Sequence, residues 1–152
     1  QEMYSRSKKE DYLNGMATAL NNLSPVYLAL KQPQKALEAT LESLRIHEES
    51  KNEYGLLCAY NQLGEIYLAL GRSNLSRENF LRGLNLAKDK DYVHERKISV
   101  DGLYRAARKM GNWKEALGYH ENLIQLKDSL QNIELQEKLT DIETKYQTEK
   151  KE

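Results

Sequence analysis

Arg105 and Arg108 stand one helical turn apart, a spacing that lets two guanidinium groups grip a carboxylate through charge-assisted hydrogen bonds. The three histidines, His47, His94 and His120, share no metal-ligand spacing such as H-x-x-x-H. They fall near a helix end, near a helix start and in a packing column, where His120 is expected as a partly buried structural side chain. Cys58 has no Cys or His near it in sequence and sits in an apolar helical segment, which favours inert packing over nucleophilic work. As the only cysteine it also excludes an internal disulfide. Asp and Glu are numerous but scattered along solvated faces, and no glycine-rich phosphate loop occurs. The expectation is a segment with no catalytic constellation, no cofactor and no metal, not an enzyme, whose work is recognition of a protein or peptide.

The elements that must position these side chains recur. Leu23, Leu63 and Leu103 stand 40 residues apart, and so do Leu30, Leu70 and Met110, and Leu44, Leu84 and Ile124. Further columns agree: Tyr27, Tyr67 and Ala107; Asp11, Lys51 and Asp91; Ala19, Ala59 and Ser99; Ala36, Ser76 and Ala116. A fixed period over three copies marks a solenoid, in which each unit buries its apolar face by stacking on its neighbours.

Within each copy the order of large, leucine, small and tyrosine residues, then small and aromatic, resembles the tetratricopeptide repeat (TPR), a helix–turn–helix unit. Those slots hold Leu20, Leu23, Ser24, Tyr27, Ala36 and Thr40 in the first copy, and Tyr60, Leu63, Gly64, Tyr67, Ser76 and Phe80 in the second. The third departs most, with Val100, Leu103, Tyr104, Ala107, Ala116 and His120. There Tyr104 fills the small slot and Ala107 the tyrosine slot, a size exchange that conserves volume if the helices repack. Glu48, Lys88 and Asp128 stand where the family closes its repeat with proline. The resemblance covers residues 11 to 127. It implies an all-α fold, a right-handed α-α superhelix of three helix pairs with a long C-terminal helix.

The expected division is 1–10 as the end of a preceding helix, repeats at 11–50, 51–90 and 91–130, and a coiled-coil-like linker helix at 131–152. In TPRs the first helix of each pair lines the concave groove. Carried onto this chain, that places Asn21, Asn61 and Asp101; Pro25, Glu65 and Arg105; and Leu28, Leu68 and Arg108 on the groove. Asn21 and Asn61 would hydrogen-bond the backbone of an extended peptide over a floor of Leu28 and Leu68, with Arg105 and Arg108 holding a carboxylate. The competing expectation is that Glu65 pairs with Arg105 across neighbouring repeats and the remainder is solvated. The lysine and asparagine clamp of chaperone-binding TPRs is not reproduced, since Pro25 and Glu65 stand in the groove.

Along the chain, the first long helix is expected over Asp11 to Leu30, burying Met16, Ala19, Leu20, Leu23, Tyr27 and Leu30. Pro25 inside it removes a backbone donor and should bend it. Pro33 suits the first turn of the next helix, which buries Ala36, Leu37, Leu41, Leu44 and Ile46. Gly71 offers a left-handed closing position and Ser73 or Asn74 a cap; the third pair turns at Gly111-Asn112, with Trp113 opening the following helix as a packing residue. The usual TPR period is about 34 residues. Because the tyrosine-to-small spacing keeps its ordinary nine residues (Tyr27 to Ala36, Tyr67 to Ser76), the extra length must lie at the handovers, Ser43 to Ala59 and Gly83 to Ser99.

Composition sets outer bounds. Lys plus Arg (23) equals Asp plus Glu (23), which argues against a dedicated nucleic-acid surface. No apolar run in the 152 residues reaches the length of a membrane span or a signal peptide. Beginning at Gln1 and ending in a charged helix at Glu152, the chain reads as a piece of a longer protein.

The tail carries two apolar seams, Leu123, Leu126, Leu130 and Ile133, then Leu135, Leu139, Ile142 and Tyr146. The step between them is about 200° around a helix. Either the helix breaks near Ser129 to Asn132, or the first seam packs on the repeats and the second faces another partner. The second seam, set among Glu and Lys, is a candidate coiled coil and homodimer contact. The string Lys127-Asp128-Ser129-Leu130, followed by L-Q-E-K-L-T-D-I-E-T-K-Y-Q-T-E-K-K-E, resembles the juncture after TPR arrays in membrane-anchored regulators of Bacteroidetes-type bacteria. That resemblance implies a sensor segment in the periplasm, joined through a membrane span outside this fragment to a histidine kinase or helix-turn-helix output. The alternative is a soluble, cytoplasmic TPR adaptor that binds a partner peptide in its groove.

Overall fold

The computed structural model describes residues 2–151, with side chains from residue 5 onward. Its six helices are α1 (Glu2–Ala29), α2 (Pro33–Glu49), α3 (Glu53–Ala69), α4 (Ser73–Ala87), α5 (Val93–Lys109) and α6 (Trp113–Glu149), with no strand among the described residues. They stack as three antiparallel pairs in a right-handed α-α superhelix, and α4 lies between α3 and α5.

Each pair is closed by the same device. After α1, α3 and α5 the chain enters the left-handed region at Lys31, Gly71 and Gly111 (φ 57°, 72° and 71°). The next amide reaches back to Tyr27, Tyr67 or Ala107, and its predecessor to Leu28, Leu68 or Arg108. This is the paired 6→1 and 5→2 bonding of a Schellman turn, which satisfies carbonyls the helix end would leave open. Small residues then let the paired helices approach. Ser24 Oγ donates to the Ala36 carbonyl (3.2 Å) and is hydrogen-bonded to Thr40, Ser43 Oγ donates to the Ala17 carbonyl (2.7 Å), and Ser76 Oγ to that of Gly64 (2.8 Å). Phe80 fills the space between α3 and α5, where a Cβ on Gly64 or Gly102 would come within 2.6 or 2.3 Å of its ring.

Several expectations change. Residues 2–10 do not finish a preceding helix; with no Gly or Pro at the junction they form the first turns of α1, which holds Pro25 within it. On α1 the buried positions are Ala17 and Ser24, while Ala19, Leu23 (43% exposed) and Leu30 face solvent. The reason is positional. Gly55 of α3 lies against His47 of α2, and Ala59, Leu63 and Ile66 continue that buried stripe. Their counterparts Gly15, Ala19, Leu23 and Val26 sit on the first helix of the stack, with no helix on that side among the described residues. Leu41 is likewise exposed, whereas Ala36 and Ile46 are buried and Leu37 and Leu44 half-buried. Neither Ser73 nor Asn74 caps α4; Arg72 takes that position without a side-chain hydrogen bond.

The handovers carry the added length as helix. Between α2 and α3 only Ser50, Lys51 and Asn52 intervene, and the Asn52 side chain accepts from the Gly55 amide at 3.0 Å. Helix α4 stops two residues earlier than α2 on the same period: Glu49 ends α2, while its counterpart Asp89 lies in the connection 88–92. At the far end α6 does not break near Ser129. It runs straight on, burying Leu123, Leu126 and Leu130 against the repeats and leaving Leu135, Leu139, Ile142 and Tyr146 exposed.

Candidate partner-binding site

The face built from α3 and α5 is organised by one cation. Arg105 donates to Asp101 Oδ2 through Nε (2.9 Å), one turn back on its own helix, and to both carboxylate oxygens of Glu65 on α3, the Nη1 bond measuring 3.0 Å. The hydrogen bonds to Glu65, opposed by partial burial, hold the Arg105 guanidinium above its usual pKa range. Arg105 is therefore spent inside the fold, as the cross-repeat pairing anticipated, and is not free to hold a ligand carboxylate.

The two asparagines are also occupied or enclosed. Asn61 is only 5% exposed; its Nδ2 donates to the Glu95 carbonyl (3.2 Å), and its Oδ1 accepts from Ser99 Oγ (2.6 Å). Asn21 Oδ1 is buried without a hydrogen-bond partner. Asn61 is therefore not available to a peptide backbone, and the half-buried Asn21 does not offer its oxygen to one. The Asn61 side chain turns toward the next repeat, where it meets Gly83 of α4 and Ser99 of α5. Leu28 and Leu68 are half-buried.

What stays open is a cleft of about 470 Å³ lined by Leu68, Arg105, Arg108, Lys109 and Trp113. Arg108 is exposed, and its guanidinium carbon lies 5.5 Å from the Tyr104 ring centroid, a cation–π arrangement that leaves donors free. Lys109 is exposed beside it. Trp113 is 66% exposed, not packed. It opens α6, whose neighbour is α5 alone, so one ring face has no helix to meet. Lys109 and Trp113 were not visible as groove residues from the slots, because they lie at and beyond the end of α5, outside the helix positions that repeat. Across the Arg105 network a smaller cleft of about 250 Å³ is lined by Glu65, His94, Lys97, Ile98 and Asp101.

The histidines lie apart. His47 is 2% exposed and packed on Gly55, and burial pushes its pKa down. His94 is exposed. His120 is exposed rather than partly buried, its ring 5.4 Å from that of Tyr104 and tilted to it. Phe80 has a helix on both sides of its ring; His120 has one. Cys58 is half-buried, and that burial pushes its thiol pKa up. No group of three or more His, Cys, Asp or Glu among the described residues could hold a metal ion.

Residues 15–89, from the middle of α1 to just past α4, match the family model for the tetratricopeptide repeat. Such repeats are protein-interaction modules. The fold is similar to the crystal structure of BtubC (BKLC) from P. vanneervenii, with a TM-score of 0.68 and 16% sequence identity over 76% of this chain. The chain spans about half of that protein's length, 48%. No curated protein matches the sequence.

Proposed function

We propose that this chain is the partner-binding segment of a bacterial membrane-bound signalling regulator. The repeats take a partner segment at the Leu68–Trp113 cleft, and α6 relays the event to a second copy. One observation carries the reading: a single helix buries Leu123, Leu126 and Leu130 in the repeats and, without a break, presents Leu135, Leu139, Ile142 and Tyr146 outward. A displacement of the last repeat therefore moves the exposed seam as a rigid body.

The seam has the 4-3-4 spacing of a coiled coil, with Leu135 and Ile142 at d and Leu139 and Tyr146 at a. In a parallel pair Lys138 of one copy meets Glu143 of the other, twice over by symmetry, while Lys145 meets Lys150 at the far end. Repeats outside the inner membrane, in the periplasm, fit this reading. No described helix is long and apolar enough to cross a membrane, so a span would lie elsewhere in the protein.

The test is sedimentation equilibrium of the chain extended past Glu152 by its natural sequence. A dimer is expected, reduced to monomer by Leu139→Lys with Ile142→Lys at unchanged melting temperature. A monomeric unmodified protein would sink the relay. The cleft alone favours a second reading, a soluble adaptor that captures an acidic peptide with no output domain. An apolar run of about 20 residues after Glu152 separates the two.

A further inference from the structure

We infer that the turn between α4 and α5 forms a binding site for a small amphiphilic anion, one carboxylate on an apolar stem. The site shares no residue with the partner cleft or the α6 seam. It exists because α4 ends at Ala87, two residues short of the α2 pattern, and the chain leaves at Lys88 in an extended conformation, then turns left-handed at Asp89 (φ 61°). The space under this connection is a cavity of about 490 Å³, lined by Leu81, Leu84, Asn85, Lys88, Asp89 and Arg96. That volume falls within the range of small-molecule sites, roughly 300–1,000 Å³.

Its chemistry is asymmetric. Leu81 and Leu84 give an apolar wall. Arg96 reaches back from the first turns of α5, where one Nη2 donates to the Lys90 carbonyl at 3.0 Å. Its Nε is buried with no partner, and Arg96 forms no ion pair among the described residues. A buried guanidinium N–H without an acceptor is costly, and a bound carboxylate would remove that cost. Lys88 adds a second, exposed cation; Asp89 is the one carboxylate on the wall and pairs with neither. Two cations against one carboxylate favour a monoanion. The other handover lacks these features: the period places Leu56 at the position of Arg96 and Glu48 at that of Lys88.

The same chemistry is found in a free medium-chain acid and in the C-terminal residue of a peptide, so the test uses octanoate and N-acetyl-leucine, with acetate and octanol as controls. Binding is followed by NMR shifts of the Leu81 and Leu84 methyl groups. At least one probe is expected to bind with both methyls responding, and each control more weakly by about tenfold or more. Preference for octanoate points to a free acid; preference for N-acetyl-leucine points to a chain terminus. Arg96→Leu, which restores the residue of the first handover, should weaken binding by about tenfold or more. Lys88→Glu, on an exposed side chain, should weaken it without disturbing the fold. No binding by either probe, equal binding of octanol, or undiminished binding in both variants would overturn the site.

Discussion

Ser99 on α5 donates its hydroxyl proton to Asn61 Oδ1 on α3 at 2.6 Å, joining the second repeat to the third inside the fold. The same two columns in the preceding pair hold Ala59 and Asn21. Alanine has no hydroxyl, and Asn21 Oδ1 is left buried without a donor. Ala59→Ser is expected to supply that donor and raise stability by about 1 kcal/mol, measured by urea unfolding. An equal or lower midpoint would show that the first junction does not share the geometry of the second.

A second comparison among the copies concerns the turn. Lys31 holds the left-handed conformation that Gly71 and Gly111 adopt at the same position. A side chain there carries a steric cost that glycine lacks. Lys31→Gly should therefore stabilise the protein, by at most about 1 kcal/mol because glycine also gains freedom in the unfolded chain. Thermal denaturation of the single variant checks it.

The cleft separates a structural arginine from a recognising one. Arg108→Glu with Lys109→Glu should reduce the affinity of a fluorescein-labelled peptide carrying leucine among glutamates by about tenfold or more, with the melting temperature unchanged. Arg105→Glu should instead lower the melting temperature, since it sets three carboxylates together; the half-exposed setting limits each lost pair to about 1 kcal/mol. Unchanged anisotropy titrations in the double variant would exclude the cleft.

Acid should loosen the α2–α3 junction. Burial lowers the pKa of His47 below its ordinary 6.5, so the unfolded chain binds the proton more readily than the folded one. The stability that comes from keeping this ring neutral is complete above the unfolded pKa. It is lost as pH falls from about 6.5 through the lower folded value. His47→Gln is expected to flatten the pH dependence of unfolding in that window; an identical slope in variant and parent would contradict it.

Much of this architecture was legible because it is local and repeated. The 40-residue columns gave the helix pairs, Gly71 and Gly111 their turns, and the spacing of Leu123, Leu126 and Leu130 the way α6 packs. Misreadings came where burial depends on what stacks next. Leu23 and His120 occupy slots that are filled from both sides in the middle copy, but they stand at the two ends of the stack, as does the exposed Trp113. Asn61 was misassigned for another reason: its orientation is set by Ser99 and Gly83, which lie outside the motif slots. The early stop of α4 falls at the charged run Lys88-Asp89-Lys90-Asp91, where the 40-residue columns carry no sign of it. Arg96 gave no signal until the turn placed it under that run.

Between the second and third repeats lie the Glu65–Arg105 pair, Arg77 with Glu115 (2.7 Å), Tyr54 with Glu95 (2.6 Å) and the Asn61–Ser99 bond, while Glu53 holds the connection after α4 through Lys90 (3.0 Å). The side-chain hydrogen bonds of Ser24 and Ser43 instead hold α1 and α2 to each other, and their junction with α3 is built on apolar packing and the buried His47. A stack with unequal junctions unzips from its weaker end. The α1–α2 hairpin is thus a flap on a rigid block. Its amides should exchange with solvent through openings that leave α3 to α6 protected, and a partner seated near Trp113 would grip the part of the molecule that stays closed.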